Sequence, residues 1–145
     1  MKLQEITTKN EMLLQLKLIQ FLYPQMTLEK YAAFLSDMIP NQYKQLVVFE
    51  NDCCVGLTGF WENTKLWTGK YLEIDNFIVH PQYRKKGIAK QMTDYLAQKA
   101  TDLNCTCIVL DAFTSNFDAH RFYYNQGYVP KGFHFIKTID PEGFS

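Results

Sequence analysis

The chain has no surplus of charge of either sign. Its 15 lysines and arginines equal its 15 aspartates and glutamates, so it lacks the basic excess by which a dedicated nucleic-acid binder neutralises phosphates. Glycine and proline are sparse, at 7 and 5 of 145 residues, and no Pro/Gly-rich linker, low-complexity tract or repeat divides the chain. No apolar run approaches the roughly 18 residues that span a bilayer, and no secretory leader is expected. The cysteines number only 4 and show no C-x-x-C spacing. Cys53 and Cys54 are adjacent, so on a strand they point to opposite faces. With Cys105 and Cys107 they read as reduced core thiols of a cytoplasmic protein, not as disulfides or a zinc claw. Both common glycine-rich phosphate loops, GxxxxGK(S/T) and GxGxxG, are absent.

What is present is apolar and aromatic: 47% hydrophobic and 15% aromatic residues. That is an ordinary globular composition, and the length predicts one domain, 1–145, with a real core. "LQEI" reads as a short first strand. "NEMLLQLKLIQFLY" places Met12, Leu13, Leu16, Ile19 and Leu22 at helical spacing and predicts one helix capped by Asn10. "TLEKYAAFLSDMI" predicts a second, capped by Thr27, with Leu28, Tyr31, Ala32 and Leu35 as its stripe and Pro40 as its stop. "QLVVFENDCCVGLTGFW" then reads as two strands about a turn at Asn51-Asp52. "YLEIDNFIV", 71 to 79, is rich in β-formers. Ile88, Met92, Leu96 and Ala100 recur at fourfold spacing and predict a helix from Gly87. "CTCIVLDAF" reads as a buried parallel strand. "NFDAHRFYYNQGY" reads as a short helix capped by Asn116 or Ser115 and ended by Gly127. "FHFIKTI" alternates and predicts a last strand. Strand 71–79, helix 87–102 and strand 105–111 make one right-handed βαβ unit. The expected class is therefore α/β: a mixed, mostly antiparallel sheet with helices on both faces.

One stretch stands out from this balanced background: "YRKKGIAKQM", 83 to 92. It sits between a strand end and a helix start, where free N–H groups and the helix dipole attract anions. A glycine lets a ligand approach the backbone, and nearby cations add attraction, as a phosphate or pyrophosphate cradle requires. Taken alone, the string serves equally well as a solvated basic loop. It does not stand alone, however: an acidic strand precedes it, an apolar strand follows, and "NFDAHRFYYNQGY" comes after that.

Together these segments resemble the GNAT superfamily of acetyl-CoA-dependent N-acetyltransferases. The family signature (R/Q)xxGx(G/A) corresponds to Arg84, Lys85, Lys86, Gly87, Ile88 and Ala89. The later pattern N-x-x-A-x-x-(L/F)-Y-x-x-x-G-(F/Y) corresponds to Asn116, Ala119, Phe122, Tyr123, Gly127 and Tyr128. The resemblance runs from about residue 46 to 139. The ending "AHRFYYNQGYVPKGFHFIKTI" is most similar to small-amine acetyltransferases such as the aminoalkylphosphonate N-acetyltransferases. The fold implied is a mixed sheet in which the parallel fourth and fifth strands splay apart.

The resemblance also implies roles. The pyrophosphate of coenzyme A would lie on the N–H groups of residues 84 to 89, with Arg84 and Lys86 adding charge or contacting a ribose phosphate. Ala89 stands where glycine is commoner. The family's fourth strand carries a bulge, and backbone groups there pair with the pantetheine arm like an added strand. By position these belong to Phe77, Ile78 and Val79, which as side chains also read as core strand; the N–H near Ile78 would polarise the thioester carbonyl. Acetyl-CoA is thus the expected co-substrate, and a small primary amine the expected acceptor.

An alkylamine has a pKa of about 10.4 and is mostly protonated at pH 7, so a base is needed. Glu73 is the first candidate, since a glutamate at the matching position is the general base of the superfamily's histone acetyltransferases. Asp75 would share its face and bind the substrate ammonium or share base duty; each also reads as a cation partner on a strand end. Tyr123 matches the family's acid tyrosine, which protonates the leaving thiolate; its other reading is a core ring. Asn116 would contact the pantetheine or cap its helix. An acceptor pocket is expected from the N-terminal helices, 59–67 and the last strand, with Trp61, Trp67, Tyr31 and Phe60 as cation–π, core or dimer-interface residues. His80, His120 and His134 read as loop, packing or surface, and no metal is expected. No partner nucleic acid or membrane is expected, and the aromatic content permits a homodimer. Direct transfer in a ternary complex leads; a protein or peptide acceptor and a non-catalytic acyl-CoA sensor are the alternatives.

Overall fold

Asn51 and Asp52 both take left-handed φ values, 49° and 63°, the geometry of the two-residue hairpin turn whose twist suits its flanking strands. Around that turn β2 (Tyr43–Glu50) and β3 (Cys53–Lys65) pair antiparallel. The computed structural model describes residues Met1–Ser145. It divides into two compact units, Met1–Val109 and Leu110–Ser145.

In the first unit, β1 (Lys2–Ile6) pairs antiparallel with β2, and β4 (Gly69–Val79) pairs antiparallel with β3. The fifth strand, β5 (Cys107–Leu110), runs parallel to β4, in the sheet order β1-β2-β3-β4-β5. Thr106 donates its N–H to the Lys70 carbonyl at 2.7 Å. A four-residue strand starting there runs out beside the middle of the eleven-residue β4, so the C-terminal part of β4 has no strand neighbour on that flank.

The two sheet faces are read from alternation. Val47 and Val48 are both fully buried although they point to opposite faces. Tyr43, Val47, Leu57 and Ile78 join one core with α1 (Lys9–Leu13), α2 (Leu16–Leu22) and α3 (Leu28–Met38), through Met12, Leu18, Ile19, Tyr31 and Leu35. The other face meets α4 (Ile88–Asp102). There Ile88, Met92, Leu96 and Ala100 are all buried, as their spacing predicts. Ile88, Met92 and Leu96 each contribute about 1.5–3 kcal/mol by leaving water. Gly56 allows the close approach: a Cβ there would lie 2.8 Å from Ile88 Cγ2.

Three expectations are corrected. The first predicted helix is two helices, and its cap is Thr8, not Asn10. Thr8 and Glu11 form a reciprocal capping box, which satisfies two orphan N–H groups. The break at Leu14-Gln15 leaves Leu14 exposed and re-phases the stripe so that Leu18 and Ile19 reach the core. Strand 105–111 shortens to Cys107–Leu110 and is half-buried.

The third correction lies in the second unit. Its helix α5 (Phe117–Asn125) is capped by Asn116, whose Oδ1 accepts from the Ala119 N–H. Gly127, with φ 91°, follows it, a left-handed position that suits glycine. Residues 133–139, however, form no strand. Alternation supplies side-chain spacing, but a strand also needs a partner for its backbone, and this segment makes no ladder bonds. Phe133 and Phe135 lie against each other at 6.2 Å and stay exposed.

Candidate functional site

The β2-β3-β4 register brings two acidic side chains onto one face. Tyr43, Trp61 and Glu73 lie in one cross-strand row, and Gln45, Gly59 and Asp75 in the next. Glu73 and Asp75 therefore share a face, as expected, and both are half-buried. It is the face covered by α1–α3.

Asp75 is held at both oxygens. Trp61 Nε1 donates to Oδ2 at 3.0 Å, and the Asn76 N–H donates to Oδ1 at 2.9 Å. Each carboxylate oxygen still has a lone pair for a cation or a proton. The Trp61 ring is in turn set by Tyr43, centroids 4.9 Å apart at 53°.

Beside Asp75 the strand bulges. Leu57 pairs with Ile78 and Gly59 with Asp75, so Asn76 and Phe77 together face Thr58. Asn76 has φ 51°, a left-handed conformation that asparagine tolerates better than most residues. A chain of hydrogen bonds surrounds it. Tyr43 donates its hydroxyl to Asn76 Oδ1 at 2.8 Å, and Asn76 Nδ2 donates to the Tyr23 hydroxyl oxygen at 2.9 Å. Gln45 Nε2 donates to the hydroxyls of Tyr43 and Tyr31. Burial pushes the Tyr31 phenol up to about 12 and the Tyr43 phenol well above its ordinary range, so both stay neutral donors. None of Tyr23, Gln45 or Asn76 was expected from sequence. The signals were an asparagine inside a β-rich run and a glycine, Gly59, inside a strand.

Past the bulge, Phe77, Ile78 and Val79 end β4, and a turn at Pro81–Tyr83 leads into the basic loop. Ile78 is buried in the core while Phe77 and Val79 are half-buried. Lys85 and Gly87 both adopt left-handed φ, 62° and 81°. Arg84, Lys85, Lys86 and Gly87 are exposed, Ala89 is half-buried, and Ile88 is core. The first turn of α4 has no side-chain cap and no acidic residue, so its N–H groups and dipole face an anion unopposed. Lys86 Nζ lies over the Tyr83 ring at 5.0 Å. These are the properties a pyrophosphate needs.

Tyr123 and Asn116 belong to the second unit. Tyr123 meets Phe122 and Tyr128 edge-on, at 5.2 and 5.4 Å. Burial, followed by neighbouring Tyr128, raises its phenol above the ordinary range, so it remains a proton donor at any physiological pH. The adjacent Tyr124 is exposed.

Of the four aromatics expected at an acceptor pocket, Trp61 bonds to Asp75. Phe60 is fully buried on the α4 face, where Lys99 lies over it at 5.7 Å. Tyr31 is buried behind Gln45, and Trp67 is exposed at the β3–β4 hairpin. No three His, Cys, Asp or Glu side chains converge as a metal cage. His80 Nδ1 accepts from the Gln82 N–H and shapes the turn before the basic loop. Burial pushes the Cys54 thiol up to about 11, the opposite of what a nucleophile needs.

Among curated proteins none matches the sequence. Solved structures do match the fold. An aminoglycoside N-acetyltransferase, AAC(6')-Iy, in complex with CoA superposes with a TM-score of 0.81 at 12% identity, covering 95% of this chain and 93% of that one. A ribosomal-protein-alanine N-acetyltransferase from Brucella melitensis biovar Abortus gives 0.79 at 21% identity, covering 96% and 100%. Glucosamine-6-phosphate N-acetyltransferase from Arabidopsis thaliana gives 0.72 at 17% identity, covering 97% and 100%. The model of the acetyltransferase (GNAT) family matches residues 10–128. With the basic loop, the bulged β4 and the parallel β4–β5 pair in place, the chain belongs to the GNAT family of acetyltransferases, which use acetyl-CoA as acetyl donor.

Proposed function

We propose that the chain acetylates a primary amine of a small molecule by direct attack within a ternary complex. The observation that carries this reading is the half-buried Asp75, held by Trp61 beside Glu73 and under the helical layer that contributes Tyr23. A carboxylate pair with an aromatic neighbour on a covered face suits a compact cation. A peptide would need an open groove.

Acetyl-CoA brings the thioester whose acyl carbon the amine attacks, forming the C–N bond as the C–S bond breaks. The N–H groups at 84–89 hold its pyrophosphate, with Arg84, Lys85 and Lys86 adding charge around Gly87, Ile88 and Ala89. Phe77, Ile78 and Val79 offer backbone to the pantetheine arm, and Asn116 adds a polar contact. Glu73, directly or through a water, takes the amine proton. Asp75 binds the ammonium before it is lost. Tyr123 gives a hydrogen bond or a proton to the departing sulfur. No thiolate of the protein takes part.

The same reading takes the chain as one domain, supported by a family match that crosses the boundary between the two units. Cytoplasmic location and a homodimer rest on composition.

The test is thiol release from acetyl-CoA over a panel of polyamines, aminoalkylphosphonates, aminoglycosides, amino sugars and peptides with free N-termini. The wild type runs beside Glu73→Gln and Tyr123→Phe. Turnover confined to one small-amine class, with kcat lower by about 10²-fold in either variant, is the expected result. Turnover of peptides alone transfers the reading to a protein acetyltransferase. Acetyl-CoA binding without turnover of any amine identifies a sensor.

A further inference from the structure

The hydrogen bonds around Asn76 converge on one short piece of backbone. The Asn76 side-chain amide is gripped at its oxygen by Tyr43, from β2, and at its nitrogen by Tyr23, from the end of α2. Its own N–H is taken by Asp75 Oδ1. The preceding carbonyl, that of Asp75, accepts from the Thr58 hydroxyl at 3.2 Å. Thr58 is fully buried.

The reach of Tyr43 is unusual. To touch Asn76 its ring must cross β3, and it does so over Gly59. A Cβ on Gly59 would overlap the ring, with Cε1 at 2.6 Å and Cζ at 2.8 Å. The bare glycine is therefore the slot that lets a β2 side chain hold a β4 bulge. Gln45 completes the arrangement from below by donating to the Tyr43 hydroxyl at 3.1 Å, which leaves that hydroxyl's proton for Asn76.

We infer that Asn76 is a positioning residue: its amide, latched by Tyr43 across Gly59 and by Tyr23, locks the β4 bulge and thereby fixes the backbone of Phe77 and Ile78 where the acyl donor lies. The inference rests on the acyltransferase reading for its consequence in catalysis, though the latch itself does not. A left-handed non-glycine residue stores strain, and strand pairing alone does not oppose its relaxation on a flank that β5 leaves uncovered. Four side-chain hydrogen bonds do. Regular pairing restored at 76 and 77 would also turn the residues before and after the bulge to different faces, which separates Asp75 from the backbone at Ile78.

The test uses the full chain with Asn76→Gly, which keeps the left-handed conformation and deletes the amide, with Tyr43→Phe, which deletes the donor, and with their combination. Four quantities are read: kcat and KM for acetyl-CoA, affinity for free CoA, Tm, and amide hydrogen exchange at Phe77 and Ile78. The expected result is kcat lower by about tenfold in each single variant, corresponding to about 1.4 kcal/mol. Affinity for CoA falls by only a few-fold, because the basic loop is untouched and only the pantetheine's pairing with Phe77 and Ile78 is loosened. Exchange at Phe77 and Ile78 accelerates by about tenfold, and the double variant is no worse than the worse single, as members of one latch require. Gly59→Ala reproduces the same pattern by blocking the ring. Unchanged exchange at Phe77 and Ile78 overturns the latch whatever the kinetics show. Losses of kcat, CoA affinity and Tm in parallel overturn the positioning role in favour of general destabilisation. If the wild type turns over no amine, the acyltransferase reading fails by itself, and the exchange data still decide whether the latch exists.

Discussion

Trp61 and Asp75 are joined across the β3–β4 pair by an indole N–H donated to Oδ2 at 3.0 Å. With the Asn76 N–H on Oδ1, the bond fixes the direction of the carboxylate, and it makes separable predictions for the two residues. Asp75→Asn removes the charge and turns one acceptor into a donor, so the KM for the amine rises by at least about tenfold. The KM for acetyl-CoA stays level. Trp61→Phe keeps the carboxylate and its bond from the Asn76 N–H but releases Oδ2, and the same KM rises only a few-fold. Steady-state kinetics with both substrates varied check this. If Asp75→Asn lowers kcat and leaves the amine KM alone, Asp75 is the base and Glu73 is not.

Gly87 has φ 81°, and a Cβ there would meet nothing within 4 Å. The consequence of Gly87→Ala is thus purely a backbone effect, about 1–2 kcal/mol of left-handed strain. The loop relieves it by moving, which misaims the N–H groups at the start of α4. The expected outcome is a KM for acetyl-CoA raised about tenfold with kcat near wild type. A variant of normal KM would show that side-chain charge, not backbone geometry, holds the pyrophosphate.

Much of this was legible because it is local. The Asn51-Asp52 turn, the Ile88–Ala100 stripe and the Asn116 cap are each decided by residues a few positions apart, and Glu73 and Asp75 share a face simply because strand side chains alternate. The latch was not legible, since Asn76 meets Tyr43 and Tyr23 across 33 and 53 residues. No periodicity connects them. The helix break at Leu14-Gln15 was missed for a different reason: Thr8-x-x-Glu11 is a readable capping box, but the apolar residues from Met12 to Leu22 fit one continuous helix almost as well. At 133–139 the alternation was real, and a backbone partner for it was not encoded nearby.

Direct transfer predicts that no cysteine is required. Burial pushes Cys54 up to about 11 and also raises Cys105, so both are thiols, not thiolates, at pH 8. Maleimide should label exposed Cys53 quickly and Cys54 slowly, with the Cys54 rate climbing as pH rises toward its pKa. Cys54→Ala should retain most of kcat. Acetyl-enzyme detected by intact mass on mixing with acetyl-CoA alone would sink the ternary-complex mechanism.

Glu5 ties β1 to α4, and its chemistry gives the first unit an acid limit. Tyr95 donates to Oε2 at 2.6 Å, and Lys99 Nζ lies 2.9 Å from the same oxygen. Burial alone would raise the Glu5 carboxyl; the hydrogen bonds from Tyr95 and Lys99 outweigh it and hold the carboxyl below its usual range. A carboxylate with a depressed folded-state pKa adds stability that is present above the unfolded value, about 4.3, and lost as pH falls through the folded value. Glu5→Gln cannot pair with Lys99 and leaves that half-buried ammonium without its partner, a loss of about 1–3 kcal/mol near neutrality. Because wild-type Glu5 is itself protonated once pH falls through its depressed folded-state value, the difference between wild type and variant should be smaller at pH 3 than at pH 7. Urea unfolding at pH 7 and pH 3 checks both ends. A difference of the same size at both values would mean that Glu5 acts through packing and that its charge contributes nothing to holding β1 against α4.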